Sequence, residues 1–387
     1  MSSETYDVII IGGGTSGLVL ANRLSEDPNL QVLVLETGQD HLGRQIVVPQ
    51  GKALGGSSDI NSFLFTLASK ATVEIWKNLG NEGWHYDAYE KALKKVFTLH
   101  KPSGVTEGEG PVQVTLAEPQ SLWEKAWIEG LESEGFPRTD PLSGRLGGPN
   151  IAPETIDPKT KQRSYAANAY LDPVRHRPNL TIRTETTVTK VVLAKPLSGG
   201  DAVAKGVQLT SKTGVTQTIG ARKEVIHSAD AINSPRFLEL SGIGGAELLQ
   251  RLGIDIVVDN PHVGENLQNH AFTGLTLEVR DDVDTLDAYF RQEPEAVAAA
   301  MQDYGTKGTG PLSTSNLLNM AQLPVPELCT EDGHKVVDQL LHATDASRSP
   351  ATTAAFAVAH QAFVRSIFTT PSEAVGNYAT KPRSLLR

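Results

Sequence analysis

One stretch near the start constrains the fold more than any other. The β-branched run Val8-Ile9-Ile10-Ile11 leads straight into Gly12-x-Gly14-x-x-Gly17, and residues 18–24 continue with a helix-type apolar pattern. A glycine triplet by itself is common in loops; a strand before it and a helix after it give it meaning. The first glycine permits a tight turn, the second lets backbone approach a pyrophosphate, and the third allows close helix–strand packing. The helix N-terminus then offers free N–H groups and a positive dipole end to phosphates. A second apolar run, residues 32–35, ends at Glu36, whose carboxylate can accept ribose hydroxyls and would repel a 2′-phosphate. The expectation is an α/β chain built on a Rossmann-like domain of the three-layer dinucleotide-binding type, with NADP disfavoured.

Length and charge narrow the rest. At 387 residues the chain can hold two domains. The formal charge is −10, with Lys and Arg scattered, which argues against nucleic acid and anionic membrane surfaces as partners. The single cysteine, Cys329, excludes an internal disulfide. The polar opening residues precede only four consecutive apolar ones, and no run approaches the ~20 residues of a membrane span. The expectation is a cytoplasmic protein without a membrane span; its oligomeric state is not readable. His and Cys spacings form no metal-binding pattern, so no metal is expected.

Further along, the apolar residues that follow Asn61 suit a buried helix, residues 101–120 and 137–162 read as loops, and residues 121–135 as a helix between them. Residues 180–192 alternate as a strand, a hairpin turn is expected at residues 198–201, and strands follow near 204–210, 216–219 and 224–228. A helix is expected to begin at Pro235, where a missing N–H is tolerated. Another is expected over residues 293–303, beyond which the pattern weakens.

Three ordered segments carry a resemblance. Gly51-Lys52-Ala53-Leu54-Gly55-Gly56-Ser57-Ser58-Asp59-Ile60-Asn61, continuing Ser62-Phe63-Leu64-Phe65, is the first. Ala231-Ile232-Asn233-Ser234-Pro235-Arg236, running on to Gly242-Ile243-Gly244, is the second, and Val263-Gly264-Glu265-Asn266-Leu267-Gln268-Asn269-His270 the third. Together these resemble the glucose–methanol–choline (GMC) oxidoreductases over about residues 5–320. The resemblance implies FAD as cofactor, gripped at its ADP half by Gly12, Gly14, Thr15, Ser16, Gly17, Glu36 and Thr37. Gly56, Ser57, Asn61, Ser62, Phe63 and Leu64 would lie along the isoalloxazine, and Val188 would bracket adenine through its backbone. It implies a discontinuous FAD-binding domain, residues 1–75 plus 160–275, and an incomplete α+β substrate domain, residues 76–159 plus 276–387. The implied activity is oxidation of the CH–OH group of a small alcohol by hydride transfer to flavin, an alcohol oxidase or dehydrogenase.

Three departures from the family qualify that picture. The segment between Glu36 and Gly51 is short; Asp230 stands where the family commonly has glycine; and no motif matches the family's C-terminal catalytic block. A general base must reach the hydroxyl proton, and no residue is assigned to that role. The catalytic residues are therefore unknown. A truncated, catalytically silent FAD-binding homologue and a flavin-dependent non-redox enzyme stay open as alternatives.

Overall fold

The computed structural model describes the chain except residues 1–3, 14, 36–48, 118–121, 195–200, 212–213, 271–277, 281–282, 284, 317–318, 346–353 and 381–387. Two units emerge: residues 1–61 with 165–269, and residues 62–164 with 270–387.

The first unit is organised by a six-stranded sheet. Its strands are β1 (Thr5–Ile11), β2 (Val32–Leu35), β3 (Leu180–Arg183), β4 (Thr187–Ala194), β5 (Val203–Thr210) and β6 (Thr216–His227), in the order β3-β2-β1-β6-β5-β4. The first four in that order run parallel, and β5 and β4 continue antiparallel. Helix α1 (Thr15–Leu24) makes the crossover from β1 to β2, which explains the parallel pairing. Because strand side chains alternate, β1 and β2 must be apolar on both faces to sit inside such a sheet. Val8, Ile10, Val32 and Val34 pack against Leu18 and Ala21 of α1 and against Leu171. Ile9, Ile11, Leu33 and Leu35 pack on the other face with Val188, Val207, Ile219 and Phe237.

Two polar fixtures anchor this sheet. The buried Asn179 side-chain amide lies 3.1, 3.0 and 3.2 Å from the carbonyls of Ser25, Asp27 and Leu30, tying the turn after α1 to the start of β3. Asp7 accepts from Arg222 Nε at 2.8 Å and from the Gln31 N–H at 2.9 Å. The Arg222 hydrogen bond, aided by that backbone donor, holds its carboxyl well below the usual carboxylate range.

The expected strand over 180–192 is broken in two, with Glu185 between them in the left-handed region at φ 53°. The separate strands expected over 216–219 and 224–228 form the continuous β6, since the parallel partner β1 runs alongside. Helix α2 (Asp230–Leu240) begins earlier than Pro235, which lies inside it. The reason is a cap at Asp230, described below. The hairpin turn expected at 198–201 lies mostly outside the described residues.

The second unit carries two small sheets. Asn319–Leu323 is flanked antiparallel by Gly376–Thr380 and Gly148–Ile151, and Phe97–His100 pairs with Thr106–Glu107 and Val112–Thr115. Strands therefore replace parts of both expected loops. Gly148-Pro149-Asn150-Ile151 has poor intrinsic strand propensity, yet all four residues are buried against their partner. The helix expected after the Gly-rich segment does not start at once, because Phe65 N–H donates to Pro153 O at 2.8 Å and Leu64 bridges Glu154. Helix formation waits until Lys70–Asn78, where Ser69 Oγ accepts the Thr72 N–H at 3.1 Å as an N-cap. Helices Leu122–Ser133, Pro294–Lys307, Glu331–Asp345 and Ala354–Thr369 complete the main framework. Among the described residues no helix is long and apolar enough to cross a membrane.

Candidate cofactor site

The first glycine bend follows from backbone crowding. Gly12 has φ +102°, and its N–H donates to Leu35 O at 2.7 Å. A Cβ built there would lie 2.1 Å from Ser228 O, and one built on Gly17 would lie 1.9 Å from Gly12 O. Both distances are impossible for a real side chain, so these two glycines are required for packing alone. Thr15 and Ser16 are exposed at the N-terminus of α1. Gly14, Glu36 and Thr37 lie outside the described residues; β2 ends at Leu35, immediately before Glu36.

The second bend is built the same way. Gly55 has φ +101°, where a Cβ would meet the Tyr165 ring at 2.7 Å. A Cβ on Gly51 would lie 2.0 Å from Gly56 O, and the Gly51 N–H donates to Ser57 Oγ at 3.3 Å. Residues Gly56–Ser58 form a single 3₁₀ turn, closed by the Asp59 N–H donating to Gly56 O at 3.0 Å, and the Asn61 N–H donates to Ser57 O at 3.0 Å. Ser58 donates to Gly55 O at 2.5 Å and accepts the Ala166 N–H at 3.1 Å.

The two bends touch. Gly55 N–H donates to Gly13 O at 2.8 Å. Of the residues expected at a flavin, Gly12, Thr15, Ser16, Gly17, Gly56, Ser57 and Asn61 therefore belong to one unit, on two bends joined by a backbone hydrogen bond. At Gly12, Gly17, Gly51 and Gly55 a Cβ would collide with neighbouring protein atoms, so the close packing of both bends depends on glycine. Gly13, Gly55, Ser58 and Ser228 make the contacts that fix these bends and are not among the residues expected from sequence to hold the cofactor. The paired-glycine pattern marks Gly55, but nothing in the sequence announces which carbonyl it meets.

The remaining expected residues belong to other segments. Val188 is buried in β4, paired with Leu209, with its side chain in the sheet core. Ser62, Phe63 and Leu64 belong to the second unit. There Phe63 takes φ +64°, its carbonyl accepts the Thr155 N–H at 2.8 Å, and the Arg163 guanidinium lies 3.8 Å over its ring. Nearby Glu154 is buried, and its carboxylate accepts from Thr314 Oγ1 and the Ser315 N–H. Desolvation pushes its pKa up, against those hydrogen bonds.

Two titratable groups border the first bend. His227 ends β6 beside Ile11 and packs its ring 4.4 Å from that of Phe237. Burial lowers its pKa, opposed by the charge of Asp230. Asp230 opens α2 at φ +70°, a left-handed conformation that favours glycine. Its carboxylate accepts the N–H of Ile232 at 2.7 Å and of Asn233 at 3.0 Å. It is exposed, as expected if it turns toward solvent, and it also caps the helix. Among the described residues no group of three or more His, Cys, Asp or Glu side chains is arranged to hold a metal.

The family model for GMC oxidoreductases matches residues 6–272. The chain belongs to the GMC oxidoreductase family. GMC oxidoreductase family protein Mala s 12 of Malassezia sympodialis is 34% identical over 336 residues, which cover 73% of this chain and 54% of that protein. An alcohol oxidase of Pichia angusta is 29% identical over 360 residues, 81% of this chain and 53% of that enzyme. The chain thus spans about half the length of these curated GMC relatives. Among solved structures, an FAD-dependent oxidoreductase from Chaetomium thermophilum matches with TM-score 0.82 and 26% identity, over 96% of this chain and 72% of that one. A fungal aryl-alcohol oxidase shares the fold at TM-score 0.77 and 22% identity, over 97% and 72% of the two chains. The GMC family and its FAD-dependent neighbours indicate FAD as the cofactor.

Proposed function

We propose that this chain binds FAD in the cradle of its first unit and belongs to an oxidoreductase acting on the CH–OH group of a small alcohol. The observation that carries the reading is the 2.8 Å hydrogen bond from Gly55 to Gly13, which brings two side-chain-free bends to one place. In this reading Gly12, Gly14, Gly17 and the start of α1 hold the pyrophosphate, and Glu36 and Thr37 the adenosine ribose. Gly56, Ser57 and Asn61, with Ser62, Phe63 and Leu64, contact the flavin, and Val188 borders the adenine. The FAD-binding part comprises residues 1–75 and 160–275, and the substrate part residues 76–159 and 276–387.

When bound, FAD supplies the acceptor for the hydride that leaves the carbinol carbon. The chain's own contribution is positional. Backbone N–H groups at a helix N-terminus favour the phosphate charge, and the fixed bends spare the cofactor the cost of ordering loops. No catalytic base is assigned.

The test is an absorbance spectrum of the purified chain, recorded before and after anaerobic addition of a series of primary alcohols. A yellow protein that bleaches with an alcohol is expected. A yellow protein that no alcohol bleaches retains the cofactor site and removes turnover, the silent-homologue alternative. A well-folded, colourless protein that takes up no added FAD overturns the reading.

A further inference from the structure

Asp230 combines three features that make sense together. Its backbone, at φ +70°, is in a conformation that glycine adopts freely and that costs other residues about 1–2 kcal/mol. Its carboxylate is held by the backbone N–H groups of Ile232 and Asn233 and by the Asn233 side-chain amide at 2.8 Å. No Lys or Arg forms an ion pair with it among the described residues.

Its location gives that charge a consequence. The two residues before it form one wall of the first glycine bend: a Cβ on Gly12 would lie 2.1 Å from Ser228 O and 3.4 Å from Ala229 Cα. The mouth of α2 therefore opens beside the bend assigned to the pyrophosphate. A helix N-terminus ordinarily offers an anion free N–H groups and a positive dipole end. Here the chain's own carboxylate takes up two of those donors, the N–H groups of Ile232 and Asn233, and places a negative charge at that helix mouth.

We propose that Asp230 is an affinity-setting residue, a fixed negative charge that weakens the hold of this site on its doubly charged dinucleotide. The inference builds on the assignment of the Gly12 bend to FAD. It predicts a repulsion that salt screens, since the Debye length falls from about 30 Å at 0.01 M to about 3 Å at 1 M.

Asp230→Asn isolates the charge. Asparagine keeps an oxygen for the Ile232 and Asn233 N–H groups and tolerates the left-handed backbone. The measurement is FAD titration of apo-protein by flavin fluorescence, at about 0.01 M and about 1 M salt. Asp230→Asn should bind FAD about fivefold to tenfold more tightly than wild type at low salt, and within about twofold at high salt. Asp230→Gly should show the same salt-dependent gain, although its cap is lost. Equal affinity of wild type and Asp230→Asn at low salt overturns the inference while leaving the cofactor site intact. Folded wild-type protein that takes up no FAD overturns both the site and the inference.

Discussion

Replacing Gly12 by alanine tests the cradle before any cofactor is involved. Two penalties add at this position. At φ +102° an alanine lies beyond the small left-handed basin near +50 to +70°, at a cost of about 1–2 kcal/mol or more. Its Cβ would also stand 2.1 Å from Ser228 O and 2.8 Å from Ser228 C, both main-chain atoms that cannot rotate away. Forcing bulk into such a contact typically costs about 1–3 kcal/mol. The expected loss is therefore about 2–5 kcal/mol. Gly253→Ala, in the same unit, is the matched control. It has φ +69°, near the left-handed minimum, and nothing lies within 4 Å of where its Cβ would stand. That change should cost about 1 kcal/mol.

Both substitutions restrict the unfolded chain equally, so the difference between them reports the contact with Ser228 together with the less favourable φ of Gly12. With two units, a single global transition is an unsafe readout. Native-state hydrogen exchange of the β1 and β6 amides in increasing urea reads the first unit directly. Gly12→Ala should lower protection there by about 1–4 kcal/mol more than Gly253→Ala. Equal losses would refute the close approach of the bend to Ser228, and with it the geometry of the cradle.

Asn179→Ala should destabilise the first unit by about 2–3 kcal/mol, because it strands carbonyls of Ser25, Asp27 and Leu30 that the amide now serves; a loss below about 0.5 kcal/mol in the same exchange experiment would refute that role. Glu154→Gln addresses the buried carboxylate of the second unit. Because desolvation raises its folded pKa above the unfolded value of 4.5, its proton-linked stability is complete below that pH and is lost as pH rises through the folded value. Glutamine still accepts the Ser315 N–H, so the variant should flatten the stability-against-pH slope above pH 4.5 and be at least as stable at neutral pH. A marked loss of stability at neutral pH, read by urea unfolding, would show that the charge itself is needed.

The parts legible in the sequence are those where local pattern and tertiary demand agree. Residues 8–11 and 32–35 are apolar without alternation, as strands covered on both faces must be, and Gly12 and Gly17 stand where a Cβ cannot fit. Illegibility begins where a distant partner decides. The apolar residues after Asn61 have a helix-compatible composition, yet Leu64 and Phe65 pair with residues 153–154 and the helix starts only at Lys70. Gly148 and Pro149 are poor strand formers, drawn into a sheet by Gln322 and Ala321. The expected start of α2 falls at Pro235 because proline is favoured in a first turn. The actual cap is an aspartate in a left-handed conformation, a combination too uncommon to read from composition. The contact of Gly13 with Gly55 joins two bends far apart in the chain, and only the folded sheet determines that they meet.

That contact also bears on how the site works. Gly12 is held by Leu35, Ser228 by Ile11, and Gly55 by Gly13, all through backbone hydrogen bonds of 2.7–2.8 Å. Each bond links the cradle to β1, to β2 or to the other bend, so the geometry that admits a dinucleotide is a by-product of sheet assembly. A cradle formed this way spares the ligand most of the ordering cost of its own site. On the proposed assignment, folding and cofactor retention share the same glycines, while an exposed charge beside the first bend would adjust affinity separately. Asp230 is the charge proposed for that role: its carboxylate is held by N–H groups of α2 and not by the sheet, so Asp230→Asn, which keeps an oxygen for that cap, is the substitution that separates affinity from stability.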